Sequence, residues 1–217
     1  MNKVISWIKE HGQIVAIIFI SIMYTVGIVQ LAFLQRPEVL DLTPLQLIFS
    51  TLLVLLYQKA STDNIIRWFA IFLFGFLIEV VGVNTGFPFG SYTYGPILGF
   101  KLWSTPLIIG LNWLLVIICT SQLSDIILSQ SKAIWRATLS ASLALGLDYL
   151  IEPVAVKTNM WTWSEQHIPV SNFIAWWVIA WLLSYLYQSQ EKQNTQPVIL
   201  VIFTWLIFFF ASLNIAL

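Results

Sequence analysis

Apolar runs of membrane-spanning length recur seven times along the chain, over approximately residues 14–34, 44–58, 65–83, 105–123, 134–151, 171–188 and 198–216. A bilayer core takes roughly 20 apolar residues per helix. The residues between the runs cannot offset them in water. Hydrophobic residues make up 59% of the 217 and charged residues 9%, against about 25% charged in a soluble domain. The pattern predicts an all-α fold, a polytopic membrane helix bundle of about seven transmembrane helices forming one integral membrane domain over 1–217. Lys3 and Lys9 precede the first run, as in a signal peptide. The run is too long for that role and no small-residue cleavage site follows, so it reads as a retained helix. The second run is short, and the fifth contains Ser140, Ser142 and Asp148. Ala137, Ser140, Ala141 and Ala144 permit close helix approach, which places the fifth helix at the centre of the bundle.

Charge and side-chain counts exclude several functions. The formal net charge is zero and no basic run exists to grip phosphates, so nucleic acid is not a partner. Cys119 is the single cysteine, which rules out an intramolecular disulfide or a cysteine metal site. His11 and His167 are too few for a histidine-rich di-iron centre. Lysine and arginine counts orient the bundle. Lys3, Lys9, Lys59, Arg67, Lys132, Arg136 and Lys192 fall on the N-terminal side, and Arg36, Lys101 and Lys157 on the other. This bias predicts a multi-pass protein of the cell membrane with a cytoplasmic N-terminus and the C-terminus outside.

Polar chemistry gathers at the outer end. Two long outer segments, 84–104 and 152–170, join the third helix to the fourth and the fifth to the sixth. Irregular backbone at membrane depth needs cover from protein or a water-filled cavity, so these segments should meet. Glu79 lies among apolar neighbours near the end of the third helix. Such a carboxyl faces the bundle interior and is a functional candidate, or else a structural hydrogen-bond partner. Asp148 and Glu152, at i and i+4, share a helix face. Pro153 follows and should end the helix there. A helix C-terminus, a like-charged neighbour and poor solvation all disfavour two full negative charges. One carboxyl can then keep a proton to donate as a general acid. The bland reading is a helix end reaching water, with Lys157 as partner.

The segment Asn84-Thr85-Gly86-Phe87-Pro88-Phe89-Gly90-Ser91-Tyr92-Thr93-Tyr94 interleaves turn formers with aromatics, and Trp161-Thr162-Trp163 supplies more. Each aromatic alone reads as membrane-interface belt. The cluster beside three carboxyls reads as a site, and aromatic faces would stabilise a cation. Asn84, Phe87, Phe89, Tyr92, Tyr94, Trp161, Trp163 and Asn172 are the candidate substrate-binding residues, with Glu79, Asp148 and Glu152 the candidate catalytic ones. Ser171 or Asn172 reads alternatively as a helix cap, Asn112 as interhelical glue, and His167 as an exposed loop residue.

These motifs resemble a known family. Glu79 to Tyr92, Leu147-Asp148 with Glu152-Pro153, Trp161-Thr162-Trp163, Ile168 to Phe173 and Trp176-Trp177 are similar to the membrane carotenoid biosynthesis proteins that include carotenoid hydratases of the bisanhydrobacterioruberin and γ-carotene type. The likeness covers roughly residues 65 to 190. The family pattern has aspartate where this chain has Glu152, which moves the carboxyl by one methylene. The resemblance implies carotenoid biosynthesis by a hydratase, a lyase of the carotenoid 1,2-hydratase class. It would hydrate the terminal 1,2 double bond of an acyclic end group by acid-initiated carbocation chemistry. Implied partners are a lycopene- or γ-carotene-like carotenoid, membrane lipid and other carotenoid enzymes. No redox cofactor and no metal is expected. Two alternatives stand beside it. A carotenoid end-group cyclase would share the first protonation and then lose a proton. A non-catalytic seven-helix transporter or receptor would need neither. A retinal receptor is disfavoured because the last helix lacks a lysine, and a transporter because paired halves are missing.

Overall fold

In the computed structural model, which describes residues 2–189 and 195–217 and side chains from residue 11 onward, the chain crosses the bundle seven times. Lys192, counted in the charge bias, lies outside the described residues. The first crossing is α1 (Asn2–Ile28), continued by a π turn over Val29–Phe33. The weak second run becomes a composite. A six-residue 3-10 segment, Pro37–Leu42, leads into α2 (Thr43–Leu56). At about 1.5 Å per residue α2 alone would reach only about 21 Å. The 3-10 turns, at about 2 Å per residue, extend it to about the 30 Å of the hydrocarbon core. Then come α3 (Thr62–Thr85), α4 (Ile108–Ile127), α5 (Ala133–Lys157), α6 (Val170–Gln188) and α7 (Pro197–Ala216).

The enclosed centre is α4 rather than the fifth helix. From Trp113 to Gln122 every α4 residue is buried, and a helix buried on all faces can only sit inside a bundle. It packs against α2, α3, α5, α6 and α7. The small residues of α5 have the consequence expected of them in a different place: Ala137, Ser140, Ala141 and Ala144 are fully buried, and α5 lies tightly along α6 and α4.

Pro153 does not end α5. The helix runs on to Lys157 with the proline inside it. A proline at this point removes the N–H that would bond the carbonyl four residues back and crowds that carbonyl. The neighbouring carbonyl of Leu150 instead accepts a hydrogen bond from Asn214 Nδ2 of α7 at 2.6 Å. Asp148 and Glu152 are therefore enclosed within the helix instead of lying in its last turn. Lys157, the suggested partner, is exposed at the helix end.

The fold is all-α apart from two small antiparallel ribbons at one end. Strand β1 (Tyr92–Tyr94) pairs with β4 (Trp161–Trp163), and β2 (Lys101–Leu102) pairs with β3 (Thr105–Pro106). The first ribbon joins the two long segments, which meet as their need for cover required.

Candidate active site

The ribbon aims four aromatic rings at the carboxyls. Side chains of a strand alternate between faces. Tyr-Thr-Tyr in β1 and Trp-Thr-Trp in β4 pair in register, Tyr92 with Trp163 and Tyr94 with Trp161. Thr93 and Thr162 point away, exposed, with their hydroxyls 3.1 Å apart. The four rings fall on the opposite face, Tyr92 and Trp163 with centroids 5.0 Å apart and Tyr94 and Trp161 6.0 Å apart.

Under this aromatic lid lies α3. Gly75, Glu79 and Gly82 occupy i, i+4 and i+7, one stripe of the helix. A Cβ on Gly75 would stand 2.5 Å from Trp113 Cβ, and one on Gly82 would stand 2.6 Å from Phe89 Cδ2. Only glycine leaves room for these rings on either side of the carboxyl. Glu79 then receives three donors. Tyr92 Oη and Tyr94 Oη both bond Oε2, the latter at 2.8 Å, and Trp113 Nε1 bonds Oε1 at 3.1 Å. Burial first, and the adjacent Glu79 carboxyl second, push both phenols well above their usual range, so each remains a donor.

On α5, Glu152 also receives three donors. Trp163 Nε1 and Trp161 Nε1 bond Oε2 at 2.9 and 3.1 Å, and Asn172 Nδ2 from the first turn of α6 bonds Oε1 at 3.1 Å. Asp148, one turn along the same face, receives one: Asn172 Nδ2 at 3.3 Å from Oδ2. Glu79, Asp148 and Glu152 are 4%, 1% and 2% exposed. Among the described residues no lysine or arginine lies within ion-pairing distance of them, and no group of three potential ligands is placed to hold a metal ion.

All three line one cavity of about 30 Å³, completed by Phe89, Tyr92, Tyr94, Ile109, Asn112, Trp161, Trp163, Asn172 and Trp176. That volume admits about two waters. Trp176 stacks on Trp113 at 4.0 Å, forming a flat apolar wall.

Most of the expected site residues converge here, with two exceptions. Phe87 is 73% exposed on the outer turn. Asn84 is exposed and spends its amide on the carbonyls of Val80 and Trp103, tying down the end of α3. Asn172 clamps the two α5 carboxyls, while Ser171 donates to the Phe89 carbonyl at 2.9 Å and pins the aromatic turn to α6. His167 is exposed and interacts with Glu165. The sequence reading undervalued α4. Asn112 and Trp113 both belong to the site, and their signal was a polar residue beside a tryptophan inside an apolar run. It also missed the strand pairing, whose signal was the aromatic-Thr-aromatic triplet present in both segments.

Fold and site together define a polytopic membrane protein with a buried acidic pocket under an aromatic lid. The family described as carotenoid biosynthesis protein matches residues 42–217, and the chain belongs to it. The match takes in the second and last helices, beyond the 65–190 of the motif likeness. The chain is 24% identical over 182 residues to the bisanhydrobacterioruberin hydratase of Haloarcula japonica, an alignment covering 78% of this chain and 62% of that protein. No solved structure matches.

Proposed function

We propose that the protein is a carotenoid hydratase of hydro-lyase type, adding water across the terminal 1,2 double bond of an acyclic carotenoid end group to give a tertiary 1-hydroxy group. The observation that supports it most directly is the unequal sharing of donors around the pocket. An ionised carboxylate is an acceptor-only group with about four lone-pair sites. Glu79 and Glu152, with three donors each, are furnished as carboxylates. Asp148 accepts one bond, and among the described residues its Oδ1 has no protein partner. Three full charges in a buried pocket, with no cation beside them among the described residues, would repel strongly, and Asp148 is the member left to hold a transferable proton.

The step balances without a redox partner. Asp148 gives its proton to C2 while the π pair forms the C2–H bond, leaving a tertiary cation at C1. The faces of Trp176 and the lid aromatics stabilise that cation. Water attacks C1, the C–O bond forms, and the water's second proton passes to a carboxylate, from which Asp148 is recharged within the coupled trio. Polar lining and room for water favour this outcome over the cyclase, which must keep water from the same cation. A six-carbon ring occupies a cavity of about 150 Å³, so one wall must yield to admit an end group. Phe89, on a turn between α3 and β1, is the lining aromatic outside any helix or strand.

Membranes from a lycopene-accumulating host carrying the gene should contain 1-hydroxy carotenoid. A ring-bearing product without added oxygen would replace this reading with the cyclase. The charge bias further assigns the lidded end to the outer face, with the whole chain acting as one membrane unit. Cysteines placed at Lys101 and Lys157 should then label from outside and one at Lys132 should not, and the opposite pattern would reverse the orientation.

A further inference from the structure

From its place in the cavity we infer that Asn112 is the residue that positions the attacking water, and so decides that the cation is hydrated rather than deprotonated. The inference rests on the hydratase reading and deepens it. Ile109 and Asn112 lie at i and i+3 on α4 and line the pocket, and Trp113, at i+4, bonds Glu79 beside them. Of the polar side chains lining the cavity, Glu79, Tyr92, Tyr94, Glu152, Trp161, Trp163 and Asn172 are bonded to one another or to Asp148. Among the described residues the Asn112 amide has no hydrogen-bond partner, although it is half-buried and borders a space of about 30 Å³. A half-buried amide at the edge of such a space takes its hydrogen bonds from water, and water is the natural occupant of a space this size.

The chemistry of an amide suits that occupant. Asn112 does not titrate, so it cannot quench the cation by proton transfer. Its Oδ1 accepts one hydrogen of a water. Glu79 Oε1, which accepts one bond, from Trp113, has a lone pair left for the other. Trp113 follows Asn112 in sequence, so one turn of α4 fixes both the amide and the donor that orients Glu79. A water held between Asn112 and Glu79 has its free lone pair available to C1 and a base in place for the proton it releases. Without that water, the cation returns to an alkene by losing a proton from C2 or a neighbouring methyl to a carboxylate.

The test separates protonation from water capture. Membranes bearing wild type, Asn112→Leu, Asn112→Ala or Asn112→Ser are incubated with lycopene in D2O. Tertiary alcohol is measured, and so is deuterium returned to the alkene pool. In Asn112→Leu and Asn112→Ala, alcohol should fall at least tenfold while deuterium exchange persists, raising the ratio of exchange to hydration at least tenfold. Asn112→Ser, which restores a small hydrogen-bonding group, should recover most of the ratio. Asn112→Ala removes the amide without adding bulk, so it serves if the leucine variant fails to accumulate. A parallel loss of alcohol and exchange, or an unchanged ratio, overturns the inference and leaves the hydratase reading standing. A wild type that forms no alcohol overturns both, and does so without reference to any variant.

Discussion

The bundle buries polar groups at both ends of α4, α5 and α6, and the two collections are built on opposite principles. At the end away from the lid, Ser140 Oγ is shared among Thr120, Ser121 and Ser184 at 2.8, 3.1 and 2.8 Å. Gln188 Nε2 bonds Ser124 Oγ and the Ser121 carbonyl, and Arg136 pairs with Asp125 at 2.7 Å. Charge meets opposite charge there, and hydroxyls that both donate and accept close on one another. This is the polar glue expected between membrane helices. At the lidded end, three acidic groups face indoles, which cannot accept, phenols that are buried as donors, and the amide N–H₂ of Asn172. Among the described residues no lysine or arginine pairs with them. The first network balances its charges, although Arg136 Nε and Gln188 Oε1 are buried in it without a partner among the described residues, while the other sets Asp148 Oδ1 and the Asn112 amide beside a small cavity. What separates the two is the unbalanced acid charge at the lidded end and the cavity beside it, which leaves room for a reactant.

The comparison breaks most decisively at Asp148. Asp148→Asn keeps shape and the bond to Asn172 but removes the transferable proton, so product should fall by about 10²- to 10⁴-fold, the range for a general acid. Protein in the membrane should stay at its normal level. Normal hydration by this variant would move the acid to Glu152 or Glu79. The next largest effect is expected at Glu79. Glu79→Gln turns an amide N–H₂ toward the tyrosines or Trp113, setting donor against donor. Product should fall by about 100-fold, and stability by about 1–3 kcal/mol for the unpaired donors, read as a lower melting temperature in detergent. Trp163→Phe removes one of the two indoles on Glu152 Oε2 and leaves Trp161. A bond to a charged acceptor contributes about 1.5–3 kcal/mol; with Trp161 still donating to the same oxygen the lower end applies, so roughly a tenfold loss of product is expected, with the ribbon still paired.

The helices and the carboxyl trio were legible because membrane burial leaves strong marks. Long apolar runs admit few readings, and Glu79 and Asp148 are conspicuous inside them. What stayed hidden was set by tertiary contact. Pro153 reads locally as a stop, yet α5 passes through it to Lys157, packed against α6, α4 and α7. Asn112 reads locally as glue, and only the packing of α4 on α3 and α6 reveals an amide that, among the described residues, bonds no other side chain and borders the cavity. Phe87 and Phe89 look alike in sequence, yet one faces out and the other lines the cavity, because a turn decides their directions. The enclosure of α4 was invisible for the same reason: its apolar run resembles the others, and its neighbours are known only from the fold.

The smallest effect, and the sharpest control, belongs to the other network. Ser140 has one O–H, so it donates in at most one of its three hydrogen bonds and accepts in the rest. In Ser140→Ala, Thr120 keeps its bond to the Val116 carbonyl at 2.8 Å. Ser121 and Ser184 can rotate their hydroxyls toward carbonyls of their own helices, as serines inside helices do. The change also removes a single oxygen from a close-packed seam and adds no bulk. Polar contacts between membrane helices average about 0.6 kcal/mol in double-mutant cycles, so the melting temperature should fall slightly and hydration should continue at the wild-type rate. The result matters because both networks run along the same three helices. If Ser140→Ala abolished product as Asp148→Asn is expected to, while the protein still accumulated, the hydroxyl cluster would belong to the path that recharges the acid, and the division between glue and site would fail.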